Sequence, residues 1–455
     1  MEDLPVESPA LHALGGTLRE YQRVGVSFLF RSESALLADE MGLGKTVQAA
    51  TALALVLRGP SLNRALVVCP AALTLNWERE LANWAPSLHV RRLPTKPEER
   101  EAFYQLPIPV LIASYEQIRS DAIDRIPSGT FQLIVLDEVQ RIKNRDSRLA
   151  FACRLLPRRR AWALTATPIE NSRSDLESIF ALLKPGLLRR SMARETVFAS
   201  VRPHMLRRRK ADVLKDLPAV VEHELRLELS SEQRMVYDEL WSRRLEVVRR
   251  ADEGIATTAM FRLLTRLKQI CNFDRASERS SKLDALLTYT EGASSSTDKI
   301  IVFSQYVDTL RWLAPRLGPI PIGLYHGGLS VVKRDELVKT FEQAPGPRVL
   351  LMSLRAGGVG LNLQAASLVV LFDRWWNPAV ETQAVFRAHR FDRARPLLAV
   401  RFVVQDSVEE RIQCILSRKQ ALFDEYVEAA PAPDVQVLTR RELTQVLGLD
   451  TAGAQ

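Results

Sequence analysis

The chain has 455 residues, 46% hydrophobic and 26% charged, which is enough for two to four domains with real cores. That composition excludes a disordered or collagen-like chain, and no stretch approaches the roughly 20 consecutive apolar residues that cross a bilayer. The net charge is +9 and mostly arginine, which suits a polyanionic partner, although a GC-rich genome produces the same bias.

The N-terminus, MEDLPVESPA, is acidic and lacks the apolar core of a secretory signal. Cys69, Cys153, Cys271 and Cys414 lie far apart, with no CxxC and no Cys/His spacing for zinc. A disulfide framework is not expected, nor is a zinc site or a membrane anchor, and the reducing cytoplasm is the expected setting.

In chain order, ALLA (35–38) reads as a buried strand, DEMGLGKT (39–46) as a glycine-rich turn, and VQAATALALVL (47–57) as a helix. ALVVCP (65–70), PVLIAS (109–114), FQLIVLD (131–137) and AWALTAT (161–167) are further apolar runs separated by amphipathic helical stretches. That alternation predicts a parallel α/β sheet with helices on both faces. Residues 221–275 carry many charges and long helical periods, with no strand-like run after the first few residues. KIIVFS (299–304), PIGLYHG (321–327), RVLLMS (348–353), LVVLFD (368–373) and LLAVRFVV (397–404) then resume the strand pattern. The expected organisation is a first lobe over 1–220, a helical insert over 221–275, a second lobe over 276–430, and a linker with a short helix over 431–455. The first lobe begins within about 20 residues of Met1, which leaves little room for an N-terminal regulator.

DEMGLGKT places Gly42 and Gly44 where the backbone must turn sharply and bring its N–H groups close to a phosphate. The helix that follows aims its positive end at the same point. Lys45 reaches the β/γ-phosphates and Thr46 holds Mg²⁺ in this reading. Asp39 occupies the first glycine position of the strict pattern. In DEVQ (137–140), Asp137 is placed to hold the Mg²⁺ and Glu138 to orient the attacking water. Thr165 and Thr167, in LTATPIEN, are small hydroxyls able to sense the γ-phosphate.

The second lobe carries Gly357, Gly358 and Gly360 but no GKT, so a second complete phosphate loop is absent. Gln383, Arg387 and Arg390 share one face if their segment is helical. Arginines aimed at a transferring phosphoryl group are worth roughly 10³–10⁵ in rate.

LREYQ (18–22), DEMGLGKT, VVCP (67–70), ASYE (113–116), DEVQ, LTATPIEN, VFSQY (302–306), LRAGGVGLNL (354–363) and QAVFRAHR (383–390) follow one another in this order. The series resembles the superfamily-two helicase-like ATPases, specifically the Swi/Snf family of double-stranded DNA translocases and its bacterial and archaeal branch. LNWERELANWAP (75–86), RIKN (141–144), HMLRRRKADVLKDLP (204–218), RLKQICN (266–272), WWNPAVETQA (375–384) and QDSVEERI (405–412) fit too, and the match covers about residues 15–425. The resemblance implies two RecA-like lobes with ATP between them and helical protrusions matching 221–275. It implies that Gln22 reads adenine and that Lys45, Thr46, Asp137, Glu138, Arg387 and Arg390 carry hydrolysis, with Gln383 beside them. Gly358 and Gly360 then belong to the nucleotide site, and Asn362 lies where ATP is coupled to DNA. Ser114, Thr167, Ser304 and Gln305 fall in motifs that touch the DNA backbone.

Four positions depart from the family pattern: Gln140 for a histidine, Ala166 for the glycine of LTGTP, CNF (271–273) for CNHP, and FDR (391–393) for IGQ. None removes a group that hydrolysis needs. The basic run 207–210 is expected to contact either phosphate or the opposite lobe. The resemblance implies a DNA-stimulated ATPase that uses ATP and Mg²⁺, acts on duplex DNA at the bacterial nucleoid, and is targeted by a protein partner. A strand-separating helicase and a nucleotide-gated DNA-binding module are the alternatives.

Overall fold

Short apolar strands alternating with half-polar helices bury both strand faces by forming a parallel sheet with helices on each side. The computed structural model describes residues 16–59, 62–165, 173–189, 191–213, 220–249, 256–294, 298–357, 363–376, 378–389, 396–427 and 440–449. It divides the chain into two compact units, Met1–Lys215 and Asp216–Gln455.

The first unit is built on β1 (Ser34–Leu37), β2 (Ala65–Cys69), β3 (Val90–Arg92), β4 (Val110–Ser114), β5 (Leu133–Asp137), β6 (Arg160–Leu164) and β7 (Met205–Leu206). Their order is β3-β4-β2-β5-β6-β1-β7, and every neighbouring pair is parallel. The carboxyl ends of β1, β6 and β5 therefore share one edge of the sheet, the edge at which α/β folds bind ligands. α1 (Glu20–Arg31) packs on α2 (Lys45–Val56). Buried alanines at 49, 50, 52 and 54 allow α2 to lie close to its neighbours. α3 (Thr74–Trp84) buries Trp77 and Leu81. α4 (Tyr115–Asp121) follows β4 directly.

The second unit is built on β8 (Val220–Leu227), β9 (Lys299–Ser304), β10 (Ile322–Tyr325), β11 (Arg348–Ser353), β12 (Leu368–Leu371) and β13 (Leu397–Val404), in the order β10-β11-β9-β12-β13-β8. All of its pairs are parallel as well.

One sequence expectation needs correcting. The insert expected as helical from residue 221 opens with β8, an edge strand paired along its whole length with β13. Its charges, Glu222, Glu224 and Arg226, alternate with Val221, Leu225 and Leu227 at a period of two. The helices of the insert, α5 (Ser231–Ser242) and α6 (Ala256–Asn272), belong to the second unit. Tyr237, Leu264, Leu267 and Cys271 share a core with Ile412 and Leu416 of α9 (Val408–Val427) and with Leu443 and Val446 of α10 (Arg440–Val446). α10 falls where the short C-terminal helix is expected, and it is packed rather than pendant. Between these lie α7 (Ser281–Ser294) and α8 (Pro378–Ala388).

All four cysteines are free. Cys69, Cys153 and Cys271 are buried and Cys414 is exposed. Among the described residues, no helix is long and apolar enough to cross a membrane.

Candidate nucleotide site

β1 ends at Leu37 and α2 begins at Lys45, so the residues between them form a loop at the carboxyl edge of the first sheet. Gly42 and Gly44 both hold positive φ, 81° and 72°. Gly44 must be glycine for a second reason: a β-carbon there would stand 2.6 Å from Nε2 of Gln22. Gln22 donates to the Leu43 carbonyl at 3.4 Å and accepts from the Arg19 amide at 3.0 Å. It thus lies against the loop. Lys45 donates from Nζ to the carbonyls of Asp39 at 2.7 Å and Glu40 at 3.3 Å, so the ammonium is folded back over its own loop. Thr46 is half-buried in the first turn of α2.

Asp137 closes β5 and is buried. Its carboxylate accepts from the Trp77 indole at 2.8 Å and from the Glu138 amide at 2.9 Å. Burial and the neighbouring Glu138 charge push the Asp137 carboxyl up to about 7, while the Trp77 N–H and Lys45 pull the other way. Tyr115 donates to the Asp137 carbonyl at 2.8 Å, which fixes the strand end. Glu138 holds a left-handed backbone, φ 53°, unusual for a residue with a side chain. Gln140 donates to Glu138 at 2.5 Å and accepts from Thr165 at 2.9 Å. The position that departs from the family's histidine therefore joins the Glu138 carboxylate to the hydroxyl that follows β6.

These residues fit a magnesium nucleotide. Among the described residues no group of three or more His, Cys, Asp or Glu side chains is placed to hold a metal. Mg²⁺ asks for little more than one or two carboxylates, since phosphates and water complete its octahedron. Thr46 and Asp137 supply the groups expected of the protein.

The other expected site residues fall differently. Ser114 caps α4, its hydroxyl accepting from the Gln117 amide at 3.2 Å. Ser304 is fully buried and its hydroxyl is bonded to Asp373, which also accepts from the Gln305 amide at 3.0 Å. A fully buried hydroxyl with an internal partner braces the end of β9. The Gln305 side chain is half-buried and donates to the Arg374 carbonyl at 3.3 Å. Arg387 is buried in α8, near Tyr325. Thr167, Gly358, Gly360, Asn362 and Arg390 lie outside the described residues, as does the side chain of Gln383.

Sequence reasoning singled out neither Trp77 nor Tyr115, and it read Arg208 only as part of the basic run 207–210. Trp77 sits inside LNWERELANWAP, and its indole in an otherwise amphipathic helix is the one available signal.

Residues 21–276 match the SNF2-related domain, and residues 280–392 match the helicase conserved C-terminal domain. The chain belongs to the SNF2-related family. It is 34% identical over 432 residues to an uncharacterized ATP-dependent helicase of Mycoplasma pneumoniae, covering 89% of this chain and 42% of the relative. It is 33% identical over 476 residues to a putative ATP-dependent helicase/translocase of Bacillus subtilis, covering 94% and 50%. The chain thus spans half or less of the length of these bacterial SNF2 relatives. A solved SWI2/SNF2 ATPase core of Sulfolobus solfataricus, in complex with double-stranded DNA, is 28% identical, with 97% of this chain and 99% of that chain covered and a TM-score of 0.46.

Proposed function

We propose that this SNF2-family chain is an ATP-hydrolysing motor that moves along double-stranded DNA and remodels or displaces bound protein without separating the strands. The observation that carries the proposal is the carboxyl edge of the first sheet. A glycine loop with Lys45 folded over it, a buried metal-type carboxylate at Asp137 and a conformationally strained Glu138 all converge there.

Lys45 binds the β/γ-phosphates, taking them in place of the Asp39 and Glu40 carbonyls. Thr46 and Asp137 would hold the Mg²⁺, which would neutralise phosphate charge when bound. Glu138, steadied by Gln140, orients the attacking water and accepts its proton. Gln140 passes the state of that carboxylate to Thr165, and so to the segment after β6. Arg387 and Arg390 are assigned to the charge that develops on the transferring phosphoryl group. Gln22 contributes base recognition.

The surplus of arginine and the helicase/translocase naming of the Bacillus relative support nucleic acid as the track. Contacts to a phosphate backbone carry no base information, so little sequence preference is expected. A partner protein would supply targeting, and the bacterial nucleoid would be the workplace.

The test is steady-state ATP turnover of the wild type and Lys45→Ala with no nucleic acid, duplex DNA, single-stranded DNA or duplex RNA. Stimulation by duplex DNA, lost in Lys45→Ala, is the expected outcome, and displacement of a triplex strand should follow. Stimulation mainly by single strands or RNA would replace this reading with the strand-separating helicase.

A further inference from the structure

Asp39 stands where a strict phosphate loop has its first glycine, and the hydrolysis chemistry asks for no carboxylate there. It is fully buried. Its partner comes from 169 residues later in the chain: Arg208 donates from Nε to Oδ1 at 3.0 Å and from Nη2 to Oδ2, a two-pronged ion pair. Gln48 of α2 completes the cluster, donating to Asp39 Oδ2 at 3.2 Å and accepting from Arg208 at 2.9 Å. The other arm of Arg208 donates to the Tyr21 carbonyl of α1. One guanidinium therefore ties α1, the phosphate loop and α2 together. Gly25 of α1 makes room for this, since a β-carbon there would lie 1.7 Å from the Gln48 amide oxygen.

The backbone repeats the pattern. The Ala38 amide donates to Leu206 at 2.7 Å, the Glu40 amide donates to Arg208 at 2.9 Å, and the Lys210 amide donates to the Glu40 carboxylate at 2.6 Å. The Lys210 ammonium lies beside Gly42, 3.0 Å from where a β-carbon would stand. It is also close enough to Lys45 for the two charges to repel. Burial above all, with Lys45, pushes it down to about 8 against the pull of Glu40.

We propose that residues 206–210 form a strap that sets the phosphate loop. Arg208 is a positioning residue acting through Asp39, and Lys210 supplies a second ammonium to the phosphates of a bound nucleoside di- or triphosphate. This rests on the nucleotide-site reading above. It explains the departure at Asp39: the loop exchanges a glycine's freedom for a tether, so its amides are arranged before the phosphates arrive. It also assigns a role to the arginine-rich signature in the last stretch of the first unit.

The test uses the full chain, with each variant first checked for folding by circular dichroism. A fluorescent ribose-labelled ADP with Mg²⁺ is titrated into wild type, Lys45→Ala, Arg208→Lys, Asp39→Gly and Lys210→Met, and KM and kcat for ATP are measured in parallel. Arg208→Lys, Asp39→Gly and Lys210→Met should each weaken ADP binding by about tenfold, the scale of one hydrogen bond to a charged group. KM should rise while kcat is largely kept, because the strap shapes binding. A merely structural loss would instead shrink the active fraction and lower kcat alone. Lys210→Met should also remove the fall in ADP affinity expected as pH rises from 7 to 9. If Arg208→Lys or Asp39→Gly does not fold, Gln48→Ala takes its place, with a rise in KM of about threefold expected from a neutral contact. Folded variants with wild-type KM, or Asp39→Gly binding ADP more tightly, would overturn the strap. If Lys45→Ala also binds ADP normally, the nucleotide site itself is misassigned. If only Lys45→Ala loses binding, the site stands and the strap falls.

Discussion

Both units bury charge, but they use it differently. In the first, besides the internal Arg100–Asp121 pair, one cluster lines a loop: Lys45, Asp39, Arg208 and Lys210 surround the residues expected to meet phosphate. In the second, they form a closed interior. Lys282 and Glu409, both fully buried, pair at 2.7 Å, and Lys282 also donates to the Phe372 carbonyl at 2.8 Å. Lys268 donates to the Arg374 carbonyl at 2.5 Å and lies 4.0 Å from the Trp376 ring. Asn272 reaches Asp373 at 3.1 Å, and Arg374 pairs with Glu381 at 3.2 Å. These bonds join α6, α7 and α9 to the segment that runs from β12 into α8. Charge beside a loop can be handed to a ligand; charge with every partner inside the fold can only specify geometry.

The comparison is broken most directly at the loop. Lys45→Ala should lower ATP turnover by at least about 10²–10³, the scale for removing a preorganised electrostatic group. Glu138→Gln should keep nucleotide affinity and lose turnover by a similar factor, which single-turnover hydrolysis would separate from binding. A wild-type rate in either variant would remove that residue from the mechanism.

In the second unit the readout is stability. Lys282→Met leaves Glu409 buried without its cation and should cost about 3–5 kcal/mol in urea unfolding. Lys282→Met with Glu409→Leu should recover much of that loss. If the single variant is as stable as wild type, the interior network is not what fixes this lobe.

Trp77→Phe sharpens the contrast, because it takes one N–H from the buried Asp137 carboxylate and leaves a small cavity where the indole was. Turnover should fall by about tenfold or more, and urea unfolding should show a loss of at least about 1.5–3 kcal/mol from the missing bond and the space the indole leaves.

The smallest effect is on pH. Burial pushes the Lys268 ammonium down to about 8, while Asp373, Glu409 and Glu381 hold it up and Lys282 opposes it. The unfolded chain keeps that proton up to the ordinary lysine value of 10.5. Between these values the unfolded state binds more protons, so the second unit should gain stability as pH rises from 8 toward 10.5. Unfolding of Lys268→Met across that range should show a flatter profile.

The sequence was most informative where chemistry and chain order coincide. DEMGLGKT and DEVQ are contiguous, and each follows an apolar strand, so their placement on one sheet edge could be read from order alone. The extent of β8 was hidden because its charges dominate composition while its pairing partner, β13, is far away in sequence. The burial of the Ser304 hydroxyl against Asp373 could not be read from its motif, because its partner lies 69 residues on. The Asp39–Arg208 pair was invisible for the plainest reason: no local pattern joins residues 169 apart. Asp39 stands out from the strict loop pattern in the sequence, but only the fold supplies its partner.

The cysteines described with the fold make the wild-type chain convenient to watch. Three thiols are sealed in cores, and burial drives their ionisation upward. Cys414 of α9 is exposed. A maleimide dye should therefore mark the second unit at one address without prior removal of the native thiols. A single cysteine introduced on the surface of the first unit would complete a donor–acceptor pair, so that the separation of the two units can be followed by energy transfer as nucleotide and duplex are added.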